Sequence, residues 1–445
     1  MNIISEYLNK FQELDGEKFP QIEKFLLDNL PEFSCNDKDL EEIYYFRAYT
    51  FSKHIKKDNN GKYVITEWLN VPWENLPISC AVGHHLAELK WFRNASNIAK
   101  DYIDYWCENQ ESLLVYNNWF VHAVWDYCLA TDNMDFALSK VDKLEQYFIQ
   151  FESRHKSKLG IYKGVDNYDG MELSISGFGL RPTINSYVYA NAYGLYKIYE
   201  YGNNQHKAEE YKLFAQNLKN KINTDLFKDD FYYNQPIAMW EEMPRLLPRF
   251  SNPRQDYGVK ELIGYVPFYF GIAQKEHTIA WKYFTDKRVF SAPYGLTTAD
   301  MSHEQFNFEF PHMCLWNGPV WPYATSQTLT ALAKTLKTFG EQELPVDKKD
   351  FCSALKTYAK SQHLTDENGT RPWIDENLDG NSGEWIARKW MYNRGRNDKD
   401  RGKDYNHSTF IDLILGGLCG IEKQGKATIC NSLADESIVC SVKNV

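Results

Sequence analysis

The 445-residue chain has no cationic run long enough to follow a phosphate backbone, and its net charge is -10. Nucleic acid is therefore not an expected partner. The one basic stretch, Arg394 to Lys403, is broken by Asp398 and Asp400 and followed by Asp404, so it reads as a solvated loop. Cys-x-x-Cys pairs are missing too. The nine cysteines (35, 80, 107, 128, 314, 352, 419, 430 and 440) are scattered, which excludes a disulfide framework or a zinc site as an expectation. No apolar run approaches the roughly 18 residues of a membrane span, and Met1 to Phe19 lack the apolar core of a signal peptide. A cytoplasmic, reducing setting is expected, although a chain trimmed of a leader would read the same way. Strand-like alternation is scarce, and no fixed repeat of roughly 30–50 residues marks a solenoid.

Aromatic residues, by contrast, are plentiful: 13 Trp, 30 Tyr and 26 Phe make up 16% of the chain. Such an excess suits a cleft whose ring faces lie against the C–H faces of pyranose sugars, and a Tyr- and Phe-rich core is the plain alternative. Apolar stripes at helical spacing recur about a dozen times. Examples are Ile98, Tyr102, Ile103 and Trp106; Val141, Leu144, Tyr147, Phe148 and Phe151; Tyr211, Phe214, Leu218 and Ile222; and Leu329, Leu332, Leu336 and Phe339. Asp58 to Lys62 reads as a turn or hairpin tip between helical stretches. The expected fold is all-α in one domain, with a weakly anchored tail after about residue 425, where no helical pattern recurs.

Three long connections rich in Gly, Pro, Asn, Asp and aromatics carry the chemistry. The first runs from Gly164 through Asp166, Tyr168, Asp169 and Glu172 to Arg181 and Asn185. The second, His312 to Thr325, holds Trp316-Asn317-Gly318-Pro319-Val320-Trp321-Pro322-Tyr323. The third is Arg371-Pro372-Trp373-Ile374-Asp375-Glu376-Asn377, with Gly383-Glu384-Trp385 behind it. Acetal hydrolysis needs a proton donor at the leaving oxygen and a second carboxylate on the opposite face. Asp166 or Asp169, paired with Glu376, would supply both.

These segments, together with Ile78 to His85, Pro293-Tyr294-Gly295-Leu296-Thr297-Thr298 and Asp404 to Thr409, resemble the trehalase-like and family 63-like glycosidases. The likeness is strongest to the mannosylglycerate-hydrolase-like catalytic domain. That resemblance implies an (α/α)6 toroid, no cofactor and an inverting mechanism. It makes Asp166, in Gly164-Val165-Asp166-Asn167, the general acid, with Asp169 its competitor, and Glu376 the general base. Inversion leaves room for a water, so the two carboxyls are expected roughly 6.5–9.5 Å apart. An α-linked gluco- or manno-configured sugar is the expected substrate.

Trp316, Trp321 and Tyr323 are expected as a sugar platform with Asn317 a hydroxyl partner, or alternatively as the start of the next helix facing the core. Arg181 and Asn185 would bind sugar hydroxyls or a substrate carboxylate, or Arg181 would pair with Glu172. Trp91, Tyr168, Glu172, Trp373 and His407 complete the expected substrate contacts. Adjacent His84 and His85 cannot face one way on a helix, so a shared metal is not expected and one of them would line the cleft near Trp91. Asn94 stands where an aspartate of the substrate pocket is expected. Two other classes remain: a sugar epimerase on the same scaffold, using His84, His303, His312 or His407, and a glycan-binding pseudoenzyme.

Overall fold

The computed structural model describes residues 2–69, 71, 76–237, 252, 254–398, 400–425 and 427–445. Outer and inner helical segments alternate along the chain. The outer ones are Lys38–Lys53, Ser96–Glu108, Val141–His155, Gln205–Asp225, the 3-10 segment Lys275–Tyr283 and Lys348–Ser361. Between them run the inner segments Val82–Leu89, Phe120–Ala130, Pro182–Tyr201, Val266–Tyr269, Pro322–Phe339 and the π-helical Leu413–Leu418.

Each inner segment packs against the next around a ring. The ring closes where Glu88, at the end of the first, accepts hydrogen bonds from the backbone N–H groups of Phe410, Ile411 and Asp412 leading into the last. This is the expected (α/α)6 toroid. Helices Ile3–Asp15 and Pro20–Asn29 lie outside it, against Lys38–Lys53.

Burial explains which segments go inside. Gln205–Asp225 buries only Ala208, Tyr211, Ala215, Leu218 and Ile222, one stripe at helical spacing. Every residue of Val82–Leu89 is buried, as an element surrounded on all sides requires. Gly194 lets two inner helices meet, since a Cβ there would stand 2.9 Å from the backbone of Val121 and His122. Starts are written locally: Pro182 and Pro322 occupy first-turn positions, and Asp347 caps Lys348–Ser361 through the N–H groups of Lys349 and Asp350.

The strands among the described residues form six two-stranded sheets. Ile55–Lys57 pairs with Tyr63–Ile65 around the expected turn at Asp58 to Lys62. His363–Asp366 pairs with Gly369–Pro372 and leads directly to Glu376. Single bridges Thr297–Val320, Val320–Leu378 and Leu378–Trp385 then knit the connections that precede and follow Glu376. Beyond residue 425, Cys440–Lys443 pairs antiparallel with Glu32–Cys35. No helix among the described residues is long and apolar enough to cross a membrane.

Candidate active site

Five of the six inner segments present their N-terminal ends to one cavity. Cys80 precedes Val82–Leu89, Tyr116 precedes Phe120–Ala130, Glu172 precedes Pro182–Tyr201, Trp321 caps Pro322–Phe339, and Tyr405 and His407 lead into the last segment. These ends carry partial positive charge, which favours anionic groups there. The cavity, of about 100 Å³, is lined by Glu67, Asp169, Glu172, Glu376, Arg401 and His407 among aromatic rings.

Glu376 is 2% exposed. Its Oε2 accepts from the Cys314 thiol at 2.9 Å, and the Arg401 guanidinium stands 3.5 Å from Oε1. Oε1 has no hydrogen-bond donor among the described residues. Burial raises the Glu376 carboxyl above its ordinary range, and Cys314 and Arg401 oppose that shift. Behind it, Asp375 accepts from the Glu376 N–H at 2.8 Å and is pushed up to about 7, by burial first and the Glu376 charge second.

Glu172 follows a tight 3-10 turn, Asp166–Asp169, that ends on Gly170 in the left-handed region. Leu173 next to it also has positive φ, at 62°, a strained setting for a branched side chain. Burial pushes the Glu172 carboxyl up to about 8, and the charges of Asp166, Glu376 and Glu67 add to the effect. It is therefore protonated at neutral pH.

Asp166 is fully buried and absent from the cavity wall, and burial pushes it up to about 7. Asp169 reaches the wall but is held as an acceptor: Arg181 Nε donates to it at 2.7 Å, Asn117 Nδ2 at 2.7 Å and Thr183 Oγ1 at 2.5 Å. Arg181, with no exposed surface, thus pairs with Asp169 and not with Glu172, and it also donates to the Gly177 carbonyl.

Of the other expected contacts, Trp316, Trp321, Tyr323 and His407 line the cavity. Trp321 and Tyr323 also stand at the start of the next helix. Trp316 stacks on Trp321 at 4.4 Å, and its Nε1 has no acceptor among the described residues, leaving a donor for a ligand hydroxyl.

The remainder lie elsewhere. Asn185 bonds the Tyr162 backbone and the Arg181 carbonyl. Asn317 donates to the Phe308 carbonyl, pinning its loop. Tyr168 and Trp373 are not on the wall, the latter lying among Arg371, Arg388 and Lys403. Trp91 donates to Asp412 near the C-terminal ends of the inner helices, and Asn94 bonds Asp28 and Asn29.

Neither His84 nor His85 lines the cavity. His84 is wedged between Trp119 and Tyr323, and His85 bonds Tyr102 and the Asn406 carbonyl. Of the four histidines an epimerase would draw on, His407 alone is on the wall, with Nε2 3.1 Å from Glu67 and Nδ1 2.5 Å from the Tyr405 hydroxyl. His303 pairs with Asp256 instead.

The sequence reading missed Glu67, Trp68, Cys80, Tyr116, Cys314, Arg401 and Tyr405. The solvated-loop reading of this stretch holds for Arg394 to Asp398, which are exposed, but fails at Arg401, because Gly402 lets the segment close over the Glu376 loop; a Cβ at Gly402 would stand 1.8 Å from Asp375 Oδ1. Cys314 lies inside the connection that holds Trp316, and its spacing carried no signal. Among the described residues no three His, Cys, Asp or Glu side chains gather as a metal site would need.

Comparison with known proteins agrees with this architecture. A solved structure titled "Sialidase" superposes with TM-score 0.84 at 30% identity, over 96% of this chain and 39% of the other. The chain thus spans about two fifths of that protein's length. An uncharacterized conserved protein from Thermus thermophilus matches at TM-score 0.59 and 11% identity, over 84% of this chain and 99% of the other. A GH78 family rhamnosidase from Bacillus sp. GL1 matches at 0.54 and 12%, over 88% of this chain and 36% of the other. At such identities the last two show shared fold alone. No curated protein matches. The model of the mannosylglycerate hydrolase MGH1-like glycoside hydrolase domain matches residues 75–408, and the chain accordingly belongs to that family of glycoside hydrolases.

Proposed function

We propose that this glycoside hydrolase cleaves its bond by single displacement, with inversion, using Glu376 as general base and Glu172 as general acid. The observation that carries this reading is that both carboxyls line one cavity with different neighbours. Glu172 is kept protonated by burial among negative neighbours, while Glu376 faces a cation and a thiol donor. Burial raises both carboxyls, but negative neighbours add to the rise at Glu172 while the cation and thiol oppose it at Glu376, an ordering that suits an acid and a base.

In the proposed step Glu172 gives its proton to the leaving oxygen as the bond from the anomeric carbon breaks. Glu376 Oε1 takes a proton from the attacking water on the opposite face, so one proton enters and one leaves. The Trp316 indole N–H and the faces of Trp68 and Tyr405 would hold the sugar, which we take to be α-linked and gluco- or manno-configured.

A second assignment of the acid rests on the Gly-x-Asp resemblance at Asp166, whose carboxyl is also held up to about 7. Leaving-group dependence separates the two. Glu172→Gln is expected to lower turnover of alkyl α-glycosides about 10²–10⁴-fold while sparing α-glycosyl fluorides, whose leaving group needs no proton. Glu376→Gln is expected to lower both alike. The same selective loss in Asp166→Asn, with Glu172→Gln nearly silent, would move the acid to Asp166.

A further inference from the structure

We infer that Cys314 is a positioning residue for the base, its thiol fixing Glu376 Oε2 so that Oε1 alone is offered to the attacking water. The inference rests on Glu376 being that base. Cys314 belongs to the connection that precedes Pro322–Phe339, whereas Glu376 follows the hairpin of His363–Asp366 and Gly369–Pro372. Two separate connections are thus joined at the Sγ–Oε2 contact of 2.9 Å.

The Cys314 backbone is itself tied down: its N–H donates to His312 Nδ1 at 3.1 Å. The other oxygen of Glu376 is buried, lacks a hydrogen-bond donor among the described residues and belongs to the cavity wall. A carboxylate hydrogen-bonded at one oxygen, with the other facing the cavity and held only by the Arg401 ion pair, cannot swing both oxygens into the water's position, and it presents one fixed lone-pair direction.

Cys314 suits this role because it stays a thiol. Burial and the adjacent Glu376 charge both raise it well above the ordinary thiol range, so it donates and does not compete as an anion. The groups facing Glu376 are Cys314, Arg401, Glu67, His407, Glu172 and Asp375. Arg401 and the thiol favour its ionised form. Taking away the thiol donor must therefore raise the Glu376 carboxyl and narrow the pH range in which the base is ready.

The test compares Cys314→Ala, Cys314→Val and Cys314→Ser with wild type, using an aryl α-glycoside that the wild type turns over. Ala and Val are expected to lower kcat about 10- to 100-fold with little change in KM, and to move the acid limb of the kcat/KM profile about one pH unit upward. Ser, which keeps a donor, is expected to restore most of the rate and the wild-type limb. A purely packing role would instead leave the limb fixed and group Ser with Ala.

A second readout needs no substrate. Alkylation of Cys314 by iodoacetamide, followed by peptide mass spectrometry, is expected to run about tenfold faster in Glu376→Gln, where the neighbouring charge is gone. Equal alkylation rates, or an unmoved limb in both Ala and Val, would overturn the inference. Wild-type turnover in Glu376→Gln would sink the base assignment instead, so the two failures remain distinct.

Discussion

Burial that keeps a carboxyl protonated also makes its ionised form costly to the folded chain. Glu172 is raised to about 8 from an ordinary value near 4.5, so the folded state binds a proton that the unfolded chain has released. Stability from this group is complete below the unfolded value and is lost as pH rises through about 8. Glu172→Gln removes the loss. It is expected to raise Tm by roughly 2–4 °C at pH 8, with the gain shrinking towards pH 4, as a pH series of thermal melts would read. The same residue sets the basic limb of activity: kcat/KM should fall above about pH 8 in wild type as the donor loses its proton. Melts in which Glu172→Gln gains nothing at pH 8 would mean that its carboxyl is hydrated and not held in the acid form.

At the scale of elements, the closing of one loop over another decides which charges meet Glu376. Gly402 packs on Asp375 with no room for a side chain, and this brings Arg401 against the base. Gly402→Ala is expected to push that segment outward and lower kcat/KM about tenfold or more, since small misplacements near the chemistry are expensive. Tm should fall as well, because Gly402 is buried against Asp375, which has no exposed surface. A variant with wild-type activity would show that Arg401 does not assist the base.

These elements also mark how far sequence reasoning reaches. Periodic stripes such as Tyr211, Phe214, Leu218 and Ile222 were legible as helices because burial writes itself at the helical period, although Phe214 is only partly buried and the small Ala208 and Ala215 complete the buried face. The loops carrying Glu376, Trp316 and Glu172 were legible from their composition and the family likeness. Glu67, Cys314 and Arg401 were not, because each reaches the cavity through a tertiary meeting of loops that no local spacing encodes. Trp91 misled for the related reason that an aromatic among polar residues looks the same at either end of the ring.

For the whole molecule, the toroid turns the N-terminal ends of five of its six inner segments on one cavity and places two carboxyls with different neighbours on its wall. The central claim is that these two act in a single displacement, one as acid and the other through water. Following wild-type hydrolysis of an α-aryl glycoside by proton NMR within the first turnovers tests it most directly, since the first-formed anomer is read before mutarotation. The account predicts β-anomer from wild type and neither anomer from Glu376→Gln. The α-anomer as first product would contradict it, because retention requires a carboxylate to attack the sugar itself and not a water held by Glu376.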